Sequence, residues 1–252
     1  MTTKNIPEQQ HNIEIHDNLD SWHKKPILQK IYQGFYELIA ANISTGIEGK
    51  IVELGSGIGN MKMVIPDVIT TDIFPNPWID QVENAYQLSF ENESLSNIIL
   101  FDVWHHLKYP GTALEELNRV LKKDGRIVLF EPAMSLFGLL IYGLFHHEPV
   151  GITKKIVWNA KDTSYPSKNE YYAAQGNASR IFTSSKYKAL LKDWKIVKVK
   201  KLSAISYVLT GGYSKHQLYP DRFLPFFRSL DKLFDLLPLV FATRLLVVLE
   251  KK

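Results

Sequence analysis

Residues 53–60 of this chain read Glu-Leu-Gly-Ser-Gly-Ile-Gly-Asn, a carboxylate followed by glycines at alternate positions. Without a Cβ, Gly55, Gly57 and Gly59, with Ser56 among them, let a backbone turn sharply and lie against a ligand. The spacing discriminates among ligands. A dinucleotide fingerprint, G-x-G-x-x-G, needs its third glycine at position 60, where Asn60 stands, and no Lys-Ser or Lys-Thr pair marks a phosphate loop. Glu53 suits a cationic, ammonium-bearing ligand. Asp72, with Ile73 behind it, ends the β-forming run VITTDI, where a carboxylate can accept both hydroxyls of a ribose. His105 and His106, in the segment FDVWHHL, are the candidates for proton transfer.

Three further segments follow in order. NAYQLSF (84–90) opens with Asn84 and Ala85, FDVWHHL (101–107) opens with Phe101 and Asp102, and EELNRVLKKDGRIVLFEP runs to Pro132. With the acid-x-G-x-G-x-G loop, this series resembles class I S-adenosylmethionine-dependent methyltransferases of the type 11 kind over roughly residues 50–132. The resemblance implies a Rossmann-like α/β fold: a mostly parallel sheet with helices on both faces, an antiparallel terminal strand pair and cap insertions. It implies S-adenosylmethionine as cofactor, held by Glu53, Gly55, Ser56, Gly57, Gly59, Asp72, Ile73, Asn84, Ala85, Phe101 and Asp102. Three positions depart from the family pattern: Asn84 stands for an Asp at the adenine edge, Ser89 for a Pro, and Asp124 for the first Gly of the turn ahead of RIVLFEP. Beyond residue 132 the segments SLFGLLIYGLFHHEPVG and GGYS resemble a branch found in surface-polysaccharide loci.

Methyl transfer is a displacement at an already activated carbon, so the protein chiefly positions the acceptor. A hydroxyl or amine acceptor also calls for a base, the role expected of His105 or His106. His146, His147 and Glu148 form a second polar group. The five residues together raise the question of a metal. Adjacent histidines do not easily share one ion, so the expectation is no metal and a cap over the acceptor pocket. Glu131 ends the fifth strand toward the same pocket. Tyr165, Tyr171, Tyr172, Gln175 and Asn177 suit a sugar or an aromatic acceptor.

The elements that must hold these residues are legible as periodicities. An amphipathic helix over 22–43 precedes a strand in GKIVELG. A very short helix in NMKMVIP, a strand in VITTDI and a buried strand in NIILFDV follow. TALEELNRVLKKDG reads as a helix stopped by Gly125, ahead of the strand RIVLFEP. AMSLFGLLIYGLF is too short to span a bilayer and reads as a buried or cap helix. TSSKYKALLKDW reads as a helix capped by Thr183 or Ser184, KIVKVKKLSAISYVL as a long strand, and FLPFFRSLDKLFDLLP as an amphipathic helix packed on the sheet or on a second subunit. RLLVVLEKK closes as a strand antiparallel to its predecessor.

The expected organisation is one domain over 1–252: an N-terminal lid and helix (1–48), a cofactor-binding core (49–132), a cap insertion (133–182), and C-terminal strands with a helical insertion (183–252). With 252 residues, 45% of them hydrophobic, the chain is long enough for a full core. It has no cysteine, which excludes disulfides and thiolate metal sites and fits a cytoplasmic location. A net charge of +4 is mild. The lysines between Arg180 and Lys201 read as a solvated face, and no D/N-P-P-Y motif points to nucleic acid. The expected partner is a small-molecule, glycan or lipid-linked acceptor. The alternatives are a nicotinamide-dependent oxidoreductase, which the misplaced third glycine disfavours, and a non-catalytic S-adenosylmethionine-binding protein.

Overall fold

The computed structural model describes residues 4–5, 8–146, 148–161 and 170–252. A seven-stranded sheet forms the frame: β1 (Lys50–Leu54), β2 (Ile69–Asp72), β3 (Gln81–Val82), β4 (Leu95–Phe101), β5 (Leu121–Pro132), β6 (Trp194–Leu202) and β7 (Arg244–Lys251). Their spatial order is β3-β2-β1-β4-β5-β7-β6. The first five strands run parallel, and β7 pairs antiparallel with both β5 and β6. This is the Rossmann-like arrangement expected, with its antiparallel terminal pair.

Alternation along the central strands explains the layering, because successive side chains leave a strand on opposite faces. Ile98, Leu100, Ile127, Leu129, Leu245, Val247 and Leu249 join a core with α3 (Pro110–Val120) and α5 (Asn177–Phe182). Ile99, Val128, Phe130, Leu246 and Val248 point the other way, to α2 (Pro26–Ala40), through Leu28, Tyr32, Tyr36 and Ile39. Both faces are covered, so both sets are apolar.

Several boundaries depart from the periodicity reading. The first helical region is two helices, α1 (Glu8–Lys24) and α2, broken where Pro26 lacks the N–H a continuous helix would need. The segment after β1 is a 3-10 turn over Asn60–Met63. α3 stops at Val120 rather than at Gly125: Leu121 leaves the helix to pair with Leu95, and Asp124 takes a left-handed turn at φ 59°. Ser185–Leu191 is 3-10, capped by the Ser184 hydroxyl. The long strand signal is split, with β6 ending at Leu202 and a helical turn, α6 (Ile205–Val208), following.

The lysine-rich segment lies on β6, at the edge of the sheet, where exposed charges discourage strand addition. Two apolar helices are less buried than expected. On α4 (Leu136–Leu144), Leu136 and Leu144 are 68% and 69% exposed. On α7 (Leu224–Phe234), Phe226 and Leu233 are exposed and only Leu224 is buried, while Phe227 packs beside Tyr219. α8 (Pro238–Phe241) follows, with Leu236, Leu237 and Leu239 exposed around it. Among the described residues no helix is long and apolar enough to cross a membrane.

Candidate active site

A cavity of about 990 Å³ opens at the carboxyl ends of β1, β2 and β4, the edge where open α/β sheets take ligands. The glycine loop forms one wall. Gly55, Gly57 and Gly59 all take left-handed φ values, 69°, 55° and 68°. A Cβ on Gly59 would stand 2.4 Å from the Trp78 carbonyl oxygen, so the third glycine serves close backbone packing. Gly57 differs: only Ile15 Cδ1, at 3.6 Å, approaches its missing Cβ, so the space there belongs to the cavity. The Ser56 hydroxyl ties the loop down, donating to the Glu53 carbonyl and accepting from Thr71 N–H.

Glu53 is buried and one of its carboxylate oxygens, Oε2, has no hydrogen-bond partner among the described residues. Burial pushes its pKa up to about 8, with the Ser56 hydroxyl pulling down and the Asp72 charge pushing up. Asp72 accepts from Gly57 N–H at 3.0 Å and from Ile73 N–H at 2.7 Å, clipping the loop to β2. His11 of α1 reaches Asp72 at 3.4 Å, and its pKa is raised because that carboxylate outweighs burial. Ile73, Asn84 and Ala85 line the same wall. Asn84 Oδ1 accepts from Tyr86 N–H at 3.0 Å, and Ser89 N–H donates to the buried Glu83 at 2.9 Å. An Asx turn and a serine–carboxylate contact thus shape the segment at Asn84 and Ser89, two of the positions where the sequence departs from the family pattern.

The opposite wall begins at the end of β4. Phe101 stacks on Tyr32 with ring centroids 5.4 Å apart. Asp102 takes φ 56°, turning its carboxylate onto the cavity, where it accepts from Arg244 Nη1 at 2.5 Å. Arg244 is 2% exposed and lies among Tyr207, Phe130, Phe35 and Phe101, with its Cζ 4.6–5.7 Å from their ring centroids. Sequence reasoning missed Arg244; its signal is a charge heading the apolar run RLLVVL.

Next comes a 3-10 turn, Trp104–His106, held by Glu131 from the end of β5. Glu131 Oε1 accepts from Val103 N–H at 2.8 Å and Trp104 N–H at 2.6 Å, and Oε2 meets His105 Nδ1 at 2.7 Å. Glu131 is fully buried behind the turn that it shapes. His105 is buried as well, its Nε2 lying 3.2 Å from Glu148 Oε2. Burial alone would lower its pKa, but Glu131 and Glu148 raise it to about 10.

His106 is in a different state. Its Nδ1 donates to the Tyr172 carbonyl at 2.9 Å, its Nε2 lies 3.4 Å from Glu148 Oε1, and the imidazole lines the cavity. Burial, then the neighbouring His105, lower its pKa to about 4, so the ring is neutral. Glu148 collects Tyr171 Oη, Gln175 Nε2 and both histidines; burial would raise its pKa, but those partners hold it well below the carboxylate range. Tyr171, Tyr172 and Gln175 of the middle insertion thus face the cavity. Tyr165 and His147 lie outside the described residues.

The residues present fit the expected cofactor. An orphaned buried carboxylate oxygen on Glu53 suits an ammonium group, and the left-handed glycine loop offers backbone rather than side chains. The fold and this site are similar to those of class I S-adenosylmethionine-dependent methyltransferases. Residues 52–129 match the family model described as a methyltransferase domain. No curated protein matches the chain. Among solved structures, it is similar to a Thermotoga maritima S-adenosylmethionine-dependent methyltransferase described as a possible histamine N-methyltransferase, at 13% identity and TM-score 0.54, over 98% of this chain and 100% of that one. It is also similar to a chain from the complex of the Haloferax volcanii Trm112 methyltransferase activator with a methyltransferase, at 12% identity and TM-score 0.51, over 92% and 96% of the two chains. At these identities the structural likenesses speak for the fold.

Proposed function

We propose that this enzyme methylates a hydroxyl- or amine-bearing acceptor with an apolar body, a small molecule or a lipid-linked compound, seated between α4 and the His105–His106–Glu148 cluster. The observation that carries this reading is the sharing of one cavity by the glycine loop, the polar cluster and the apolar residues Phe137, Ile141 and Phe145. Exposed leucines on α4 and around α8 extend the apolar surface outward, which favours an acyl or prenyl chain over a bare sugar.

In this reading Glu53 and the loop of Gly55, Ser56, Gly57 and Gly59 hold the amino-acid end of the cofactor. Asp72, Ile73, Asn84, Ala85, Phe101 and Asp102 line its nucleoside end. Bound S-adenosylmethionine supplies an electrophilic methyl group. His106 Nε2 takes the acceptor's proton, because its Nδ1–H is committed to a carbonyl. His105 is a positioning residue: a ring whose two nitrogens each hold a carboxylate, and whose pKa lies near 10, does not take up a proton from the acceptor. The aromatic residues Tyr32, Tyr36, Tyr207 and Tyr213 exclude water from the deep end.

Calorimetry with S-adenosylmethionine, S-adenosylhomocysteine and NAD tests the cofactor half. Binding of the first two and not the third is expected; the reverse would overturn the reading. Transfer of a radiolabelled methyl group to a panel of acylated and non-acylated alcohols and amines tests the acceptor half.

A further inference from the structure

Both adjacent histidines are tied through the same atom. His105 Nδ1 is held by Glu131 Oε2 at 2.7 Å, and His106 Nδ1 by the Tyr172 carbonyl at 2.9 Å. Pinning Nδ1–H to an oxygen acceptor fixes the tautomer and leaves Nε2 as the ligating atom, the usual outer contact of a metal-bound histidine. Both Nε2 atoms converge on one carboxylate, at 3.2 Å and 3.4 Å from the two oxygens of Glu148. The ligand atoms of all three residues lie within 4.8 Å of one another. Ligand bonds of about 2.0–2.2 Å place neighbouring ligand atoms about 3–3.5 Å apart, the spacing of the two histidine–carboxylate contacts.

A second observation is independent of the histidines. Gln175 is 1% exposed, lines the cavity and donates to Glu148 Oε2, yet its Oε1 has no partner among the described residues. An amide oxygen left bare beside this cluster lacks a cation or a donor. His106 Nε2 and Glu148 Oε1 also face each other as two acceptors once Nδ1 carries the ring proton, an arrangement that a cation between them would relieve. The surrounding charge agrees: Glu131, Glu148 and Asp102 are three carboxylates against Arg244 and the His105 imidazolium, so a dication that takes the place of the His105 Nε2 proton balances them, Lys108 and Glu170 being paired with each other.

We propose that His105 Nε2, His106 Nε2 and the Glu148 carboxylate form a site for one divalent first-row transition-metal ion, with open positions facing the cavity for an oxygen of the acceptor. Two imidazoles and one carboxylate without thiolate suit Zn²⁺, Fe²⁺ or Co²⁺, and three protein ligands leave room for an exogenous one. The turn Trp104–His106 meets the objection that sequence neighbours cannot share an ion: it brings the two rings to 4.2 Å between centroids, tilted by 41°. The site deepens the acceptor reading, since an ion there orients an oxygen nucleophile, with His106 holding the ion in place of the proton. Its existence does not depend on that reading.

The test uses the full-length chain without an affinity tag, stripped with a chelator and titrated with Co²⁺, whose visible absorption reports coordination. One equivalent should bind with d–d bands. His106→Ala and Glu148→Gln should each weaken binding at least tenfold while the far-ultraviolet spectrum stays unchanged, and His23→Ala, on the surface, should leave it intact. Absence of bands, or bands unaltered in both His106→Ala and Glu148→Gln, would overturn the proposal. S-adenosylhomocysteine affinity is measured on the same samples. Co²⁺ binding without any cofactor affinity would sink the methyltransferase reading and leave the ion site standing.

Discussion

Arg244 Nη1 lies 2.5 Å from Asp102 Oδ1, joining the first residue of the last strand to the residue just past the end of β4, 142 positions earlier. The guanidinium is buried among four aromatic rings and borders the cavity. The bond therefore ties the end of β4 to the start of β7 across β5 and holds Asp102 in its left-handed turn.

Asp102→Asn should destabilise the fold by about 3 kcal/mol, because it strands a buried cation. The double variant Asp102→Asn with Arg244→Met should lose clearly less than the sum of the two single changes. Urea unfolding of the three variants measures the cycle; additive losses would show that the pair is not coupled.

Glu53 makes stability depend on pH in a defined direction. Its folded pKa of about 8 lies above the ordinary value of 4.5, so its contribution is fully present below pH 4.5 and is lost as pH rises to about 8. Glu53→Gln should flatten that slope and be the more stable protein at pH 8. A cofactor ammonium beside Glu53 would favour the ionised form, so cofactor binding near pH 7 should release a proton. Calorimetry in buffers of different ionisation enthalpy detects it.

The glycines should separate by role. Gly59→Ala forces a Cβ to 2.4 Å from the Trp78 carbonyl and should unfold the loop region, with a loss of about 2 kcal/mol or more in denaturant. Gly57→Arg meets little protein but fills the cavity. It should fold and lose cofactor binding by at least a hundredfold in calorimetry; unchanged affinity would remove the loop from the site.

The two histidines should separate as well. His105→Ala leaves Glu131 and Glu148 buried without their shared partner and should cost about 3–5 kcal/mol of stability. His106→Ala should leave the unfolding midpoint nearly unchanged and lower kcat about 10²- to 10⁴-fold once an acceptor is found. Full turnover in His106→Ala would end its role in the reaction.

The apolar face offers a test of acceptor class. Leu140→Ser with Leu144→Ser, both exposed on α4, should raise KM for an acylated acceptor about tenfold and leave a short-chain analogue unaffected. Equal effects on the two acceptors would remove α4 from acceptor recognition.

Much of this was legible in the residues in order. Alternate glycines after an acid can only serve a tight, backbone-lined turn, and runs such as NIILFDV and RIVLFEP, apolar on both faces, specify strands covered on both sides. The boundaries were less legible, because tertiary pairing overrides local preference: Leu121 has helical neighbours, yet it joins the sheet since Leu95 is there to pair with. The exposure of α4 and α7 could not be read from amphipathicity, which shows that a face is apolar and not what covers it.

The sequence alone pointed to the methyl donor through a family resemblance, whose residues, Gly55, Gly57, Gly59 and Asp72, lie along a short stretch of chain and are legible without any distant contact. The state of each polar side chain was decided by tertiary structure. Glu131, Glu148 and His105 are far apart in sequence, and their charges, tautomers and reach follow from what burial places beside them. His105 and His106 look alike as neighbours in the chain; one is clamped between two carboxylates and the other opens onto the cavity, because β5 and the cap insertion approach the turn from opposite sides.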